Sequence, residues 1–224
     1  MRDIALAVSE YVDLIGIRLS NSSHYPKYNE LFHEFCKYSS KSVINLECDK
    51  YHPAQGLADL KTIKDNIKDY QNKKIVLSWA YSPSALRVPA IPQEQLILFS
   101  RFMNNITLVH PKEFRLDPEI IDKTNANLSK TGNKLNITHE REEAYKDATV
   151  IYARNWATRE YNEHGKSEEL LGDASFMHCL PVHREYEATN EVIDSNQSLI
   201  KVQMKNRESV QKRLLELLLN NINE

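Results

Sequence analysis

Cysteine, glycine and an excess of either charge are scarce in this chain. Its three cysteines, at positions 36, 48 and 179, are odd in number and form no CxxC pair. That argues against a disulfide framework and a tetrathiolate zinc site, and fits a reducing compartment. Five glycines in 224 residues leave no GxGxxG, no GxxxxGK(S/T) and no GxSxG, so a glycine-built phosphate cradle and a nucleophile elbow are both absent. Lys plus Arg number 29 against 31 Asp plus Glu, a formal net charge of -2, and the basic residues are scattered. This gives no electrostatic case for a nucleic-acid partner. No apolar run approaches the ~20 residues of a membrane span. Arg2, Asp3, Glu10 and Asp13 interrupt the N-terminal MRDIALAVSEYVDLIGIR, which leaves no signal-peptide core. The expectation is a soluble cytoplasmic protein, with no nucleic acid and no membrane among its partners.

Short β-rich runs do recur: DLIGIR (13–18), SVINL (42–46), KIVLSW (74–79), NITLVH (105–110), TVIYA (149–153), ASFMHC (174–179) and SLIKV (198–202). Helical patterns lie between them, with Tyr28, Leu31, Phe32 and Phe35 on one face and Leu96, Phe99 and Phe102 on another. Continuous Val/Ile/Leu strands alternating with amphipathic helices predict an α/β fold with parallel sheets covered on both faces. Val210, Leu214, Leu217 and Leu218 predict a long terminal helix with one buried stripe. The polar stretch NIKDYQNKK separates two βα blocks, 1–68 and 73–205, followed by the helix at 206–224. The first block has too few strands for a sheet with its own core.

Several strand ends carry groups suited to chemistry. In NLECDKYHPAQGLADL, His52-Pro53 opens a helix after a strand, and proline at that position loses no needed N–H. His52 and Gln55 would then lie where free backbone N–H groups and the helix dipole collect anions. On local grounds alone, a capping His52 and a solvated Gln55 are the favoured reading, since ligand sites are few per protein. In FMHCLPVHRE, His178 and Cys179 close a strand that Pro181 prevents from continuing. Adjacent strand residues face opposite ways, which argues against a His178–Cys179 dyad, and no second ligand pair supports a metal site there. The loop LSWAYSPSALRVPAIPQ (77–93) is long and non-helical in pattern, and such loops are usually functional or disordered. Arg154 and Trp156 in YARNW share a strand end, and Arg207 in KNR starts the terminal helix. Each of these three reads either as ligand-facing or as ordinary surface or packing.

Taken together, HPAQ (52–55), HCLP (178–181), NR (206–207) and DLIGIR ending in Arg18 resemble the motifs of the aspartate/ornithine carbamoyltransferase family, in family order. The Pro-rich loop and YARNW are similar to those of its knotted N-acetylornithine and N-succinylornithine members. The resemblance implies two Rossmann-like parallel-sheet domains, the first incomplete, with a trefoil knot through the Pro-rich loop and a long C-terminal helix. Residues 1–68 would be a remnant of the carbamoyl-phosphate-binding domain, 73–205 the amino-acid-substrate domain, and 206–224 a helix returning to the first. It also implies transfer of carbamoyl from carbamoyl phosphate to the side-chain amine of an (N-acyl)ornithine-like amino acid, as in arginine biosynthesis, by a homotrimer that needs no cofactor and no metal.

By the same resemblance His52, Gln55, Cys179 and Leu180 form the catalytic set, with the Leu180 carbonyl receiving the amine. Arg18 and Arg207 join these four around carbamoyl phosphate. Glu47, Arg154, Leu180 and His183 face the second substrate. Two departures accompany this. No STRTR-type phosphate loop occurs in the 224 residues, and each charge-assisted contact it would supply is worth about 1.5–3 kcal/mol. His183 and Glu187 stand where acetylornithine enzymes carry an arginine and a lysine. The alternative is a truncated or diverged non-catalytic relative that binds ligand weakly or acts through oligomer contacts.

Overall fold

In a computed structural model, residues 1–21, 25–82, 87–157 and 174–220 are described. The first βα block opens with helix α1 (Arg2–Ser9), then strand β1 (Leu14–Leu19), helix α2 (Lys27–Tyr38), strand β2 (Ser42–Cys48) and helix α3 (Pro53–Asn66). β1 and β2 form a two-stranded parallel sheet. Ile15 and Phe35 pack with Ala5 beneath it, as the α2 pattern predicted.

The second block carries strand β3 (Ile75–Trp79), helix α4 (Ala90–Phe99), strand β4 (Ile106–Val109), helix α5 (Pro118–Leu128), strand β5 (Asn136–Thr138), helix α6 (Arg141–Tyr145), strand β6 (Val150–Arg154), strand β7 (Ser175–Met177), helix α7 (Asn190–Asp194) and helix α8 (Ile200–Asn220). Its five strands run in the order β5-β4-β3-β6-β7, all parallel. Strand periodicity sends Ile75, Leu77 and Trp79 into one core and Val76 into another across the sheet. Every residue of β3, β4 and β6 is buried, which is why these strands read as unbroken apolar runs.

Three expectations are corrected. SLIKV is not a strand: Ser198 makes one isolated bridge with Phe176, and the helix starts at Ile200, inside the run and ahead of the boundary at 206. A run of four or five apolar residues has the same appearance at a helix start as in a strand. The stripe on α8 is also misplaced. Its buried residues are Ile200, Gln203 and Asn206, while Val210, Leu214 and Leu218 are half-buried and Leu217 is exposed. The 21 residues of α8 reach well past the 14 of α3 that its first turns pack on, so the later turns outrun that partner. Finally, the Pro-rich connection ends early. α4 starts at Ala90 with Pro89 as its N-cap and Pro92 in its first turn, where a missing N–H is tolerated, and Phe102 lies beyond the helix, exposed. The part of that loop at 83–86, and the connection at 158–173, fall outside the described residues.

α3 is what brings the two sheets to one site. Its buried residues, Ile63 apart, are small or polar, Ala54, Gln55, Gly56, Ala58, Asp59 and Thr62, so both α4 and α8 approach closely. A Cβ on Gly56 would lie 2.6 Å from Glu94 Cγ. Gln203 and Asn206 of α8 bond Asp59 and Thr62 of α3 at 2.6 and 3.0 Å.

Candidate active site

A cavity of about 600 Å³ opens where β1, β2, β6 and β7 end and α3 and α8 meet. Arg18, Glu47, His52, Gln55, Arg154, Cys179, Leu180 and Arg207 all line it. His183 does not. It lies half-buried beyond Pro181, with its backbone N–H donating to Glu187 Oε2 at 2.8 Å. Ser20, Asn21, Arg87, Val88, Ile91 and Pro181 complete the lining.

On the first wall a register shift between Ile17 and Arg18 places Arg18 opposite Glu47 on the neighbouring strand. Their side chains meet at 2.5 Å. His52 is the N-cap residue of α3, yet its side chain makes no capping bond, and Gln55 is fully buried. The capping and solvated readings of these two residues therefore both fall away. Arg207 binds Gln55 Oε1 at 3.1 Å and reaches within 3.5 Å of His52 Nε2. Burial, then the charges of Arg207, Arg18 and Arg154, press the pKa of His52 down to about 3. The 3.8 Å approach of Glu47 to this ring is thus a contact with a neutral imidazole, not an ion pair.

The second wall is the end of β6 and β7. His178 Nδ1 accepts the Leu180 N–H at 3.0 Å, which places the proton of this neutral ring on Nε2, 3.5 Å from Glu187. Burial lowers the pKa of His178 and so favours the neutral form. Leu180 is held at φ 47°, a region a leucine adopts at a cost of about 1–3 kcal/mol. Arg154 donates to the Pro181 carbonyl at 3.5 Å, so imidazole and guanidinium clamp the turn from both ends. Behind them Glu187 accepts from the N–H groups of Asn155 and His183, with Arg154 at 3.9 Å. Burial alone would raise this carboxyl; His178, the His183 N–H and Arg154 hold it at about 2. Burial raises the pKa of the Cys179 thiol against the opposing pull of Arg154, so it stays protonated and is no nucleophile at neutral pH.

Four guanidinium groups face one carboxylate in this cavity, an arrangement that draws a multiply charged anion. Arg87 was not singled out in the sequence. It sits in an aperiodic loop, and its Nε is buried without a hydrogen-bond partner among the described residues. A basic residue followed by Val-Pro just before a helix was the one signal available. Among the described residues no group of three or more His, Cys, Asp or Glu could hold a metal ion, and no helix is long and apolar enough to cross a membrane.

A parallel α/β fold whose strand ends gather HPAQ, HCLP and four arginines around one cavity defines a class of group-transfer enzyme acting on anionic substrates. Residues 91–218 match the family model for the aspartate/ornithine carbamoyltransferase Asp/Orn binding domain, and residues 1–65 match that for the carbamoyl-P binding domain. The chain belongs to the aspartate/ornithine carbamoyltransferase family. It is 31% identical to the N-acetylornithine carbamoyltransferase of Xylella fastidiosa, over 96% of this chain and 70% of that one. It is 32% identical to the N-succinylornithine carbamoyltransferase of Bacteroides fragilis, over 92% and 67%. A crystal structure of an N-acetyl-L-ornithine transcarbamylase mutant, complexed with carbamyl phosphate and N-succinyl-L-norvaline, superposes with a TM-score of 0.87 at 30% identity, covering 97% of this chain and 72% of that chain.

Proposed function

We propose that this protein transfers carbamoyl from carbamoyl phosphate to the side-chain amine of an (N-acyl)ornithine-like amino acid, in arginine biosynthesis or related amino-acid metabolism. The observation that carries the reading is the convergence of His52, Gln55, Cys179 and Leu180 with Arg18, Arg154 and Arg207 on one cavity. In this scheme Arg18 and Arg207 hold the phosphate, and His52 and Gln55 hold the carbamoyl group. The His52 ring stays neutral and does not titrate near neutral pH. An uncharged amine, oriented by the Leu180 carbonyl, attacks the carbamoyl carbon. A C–N bond forms and the C–O bond to phosphate breaks. Phosphate leaves with the electron pair and takes up the proton the amine gives away. Positioning and fixed positive charge supply the rate. Glu47 and Arg154 bind the second substrate, and Arg87 adds a cation for its carboxylate; His183, which the family resemblance also assigns to that substrate, lies beyond the cavity lining.

Residues 1–68 supply the carbamoyl-phosphate side and the second block the amino-acid side, with α8, from Ile200 onward, returning to the first. The same family reading carries a homotrimer, a cytoplasmic location and a threaded Pro-rich loop. The test is purified protein with carbamoyl phosphate and, separately, N-acetylornithine, N-succinylornithine, ornithine or putrescine, assayed for a ureido product. Product with an acylated ornithine supports the assignment, and product with putrescine alone shifts it to a diamine. No ureido product from any of the four at high enzyme concentration overturns it in favour of a binding-only relative.

A further inference from the structure

Asp59 lies on α3 one turn beyond Gln55. It is fully buried and does not itself line the cavity, yet three side-chain amides converge on it. Gln55 Nε2 donates to Oδ1 at 2.7 Å, Gln203 Nε2 donates to the same oxygen at 2.6 Å, and Gln95 Nε2 donates to Oδ2 at 2.7 Å. These donors come from α3, α8 and α4. No cation is among them, so the carboxylate is held by neutral donors, these amides and the Tyr152 hydroxyl, a costly arrangement unless every lone pair is used.

The consequence lies in which way each amide is turned. A carboxylate oxygen only accepts and a guanidinium only donates. Gln55 sits between the two, with Arg207 at 3.1 Å from its Oε1. Its amide therefore has one allowed orientation: nitrogen toward Asp59, oxygen toward Arg207 and the cavity it lines. Gln203 is fixed by the same logic. Its nitrogen serves Asp59, so its Oε1 is the acceptor for the backbone N–H of His178 at 3.2 Å. One buried carboxylate thus sets the polarity of a group on the first wall and anchors the strand end that carries Cys179 and Leu180 on the second.

We infer that Asp59 is a positioning residue for carbamoyl transfer, acting through Gln55 by locking its side-chain oxygen toward the cavity as a hydrogen-bond acceptor. The acceptor matches an NH2 group on the bound substrate. Without Asp59 only Arg207 orients the Gln55 amide, and no carboxylate opposes a flip that presents NH2 to NH2, which repels. This rests on the carbamoyltransferase reading, and the experiment separates the two.

Kinetics with carbamoyl phosphate, and the spectra below, are measured above the pH at which Asp59 loses its proton, for the wild type, Asp59→Leu, Gln55→Ala, the double variant and Asp59→Asn, with near-UV circular dichroism to confirm the fold. Leucine removes the acceptor at similar volume; asparagine keeps one acceptor oxygen for Gln55. The expected result is a loss of about 10²-fold in kcat/KM for D59L, a further loss of less than about threefold when D59L is added to Q55A, and D59N within about tenfold of wild type. Equal losses from D59L with and without Gln55 overturn the inference, because a merely structural role adds. So does a folded D59N as damaged as D59L. A second arm needs no turnover. The Gln55 side-chain NH2 resonances, assigned by their loss in Q55A, shift upfield in D59N because the acceptor has lost its charge; unchanged resonances overturn the inference. If the wild type makes no product, the proposed function fails, and the resonance arm still decides the role of Asp59.

Discussion

On one wall of the cavity Arg18 finds its counter-charge inside the cavity; on the other Arg154 finds it behind the wall. The Arg18 side chain is 60% exposed and its partner Glu47 lines the same space. Arg154 is 7% exposed, and Glu187, which does not line the cavity, is fully buried. Glu47 is only 10% exposed, but Arg18 is solvated, so the arginine can leave its partner for a ligand without being stranded in a dry interior. A carboxylate buried behind the wall and satisfied by two backbone N–H groups, as Glu187 is, cannot be exchanged that way. The first wall is therefore built to trade partners and the second to stay fixed.

Breaking the fixed wall has the largest expected effect. Glu187→Ala strands Arg154 and His178 and is expected to cost about 3–5 kcal/mol in urea unfolding, the range for an orphaned buried charge. A loss under about 1 kcal/mol would remove the contrast. Next comes Arg207→Ala, which leaves both walls in place but removes a cation from Gln55 and His52; kcat/KM for carbamoyl phosphate should fall about 10²–10³-fold.

A third test probes the layer behind both walls. Burial raises the pKa of Asp59 to about 7, while Gln95, Gln55, Gln203 and Tyr152 oppose it. Between its ordinary value near 4 and 7 the folded protein keeps a proton that the unfolded chain has released, so rising pH favours unfolding in that window. Asparagine does not titrate. The Tm of D59N minus that of wild type should therefore grow from pH 4 to pH 7 and then level off, with the contributions of Glu94, His52 and Glu187 common to both proteins. A gap that shrinks over this window would sink the assignment. The smallest effect is expected from Glu47→Gln on the exchangeable wall: a stability change within about 1 kcal/mol, less than a third of that for E187A.

The helix start at Pro53 was legible as a local signal with a local cause; the roles of His52 and Gln55 came from the family motif, since local grounds favoured a cap and a solvated residue. The strand end at His178–Pro181 was also legible as a local signal. The packing of α3 was not. Asp59 in LADL reads as an ordinary solvated carboxylate, and only the approach of Gln95 and Gln203, 36 and 144 residues away, buries it. His178 shows the limit of a strand argument. The expectation that it faces away from Cys179 excluded a dyad correctly, but its Nδ1 bonds the Leu180 N–H and so shapes the turn. β5 was missed because three residues, two of them exposed, give no apolar run, and Arg87 because a loop side chain has no period to betray its direction.

The contacts of α8 with α3 join residues 144 to 152 positions apart: Gln203 to Asp59, Asn206 to Thr62 and Arg207 to Gln55. Closing so long a loop is an entropic cost met before any contact rewards it, and chains dominated by distant pairings fold slowly. On a ribosome, HPAQ would emerge and wait, its histidine and glutamine without Arg207, while 152 further residues were made. Order of synthesis alone thus keeps an unfinished chain from binding through this cavity.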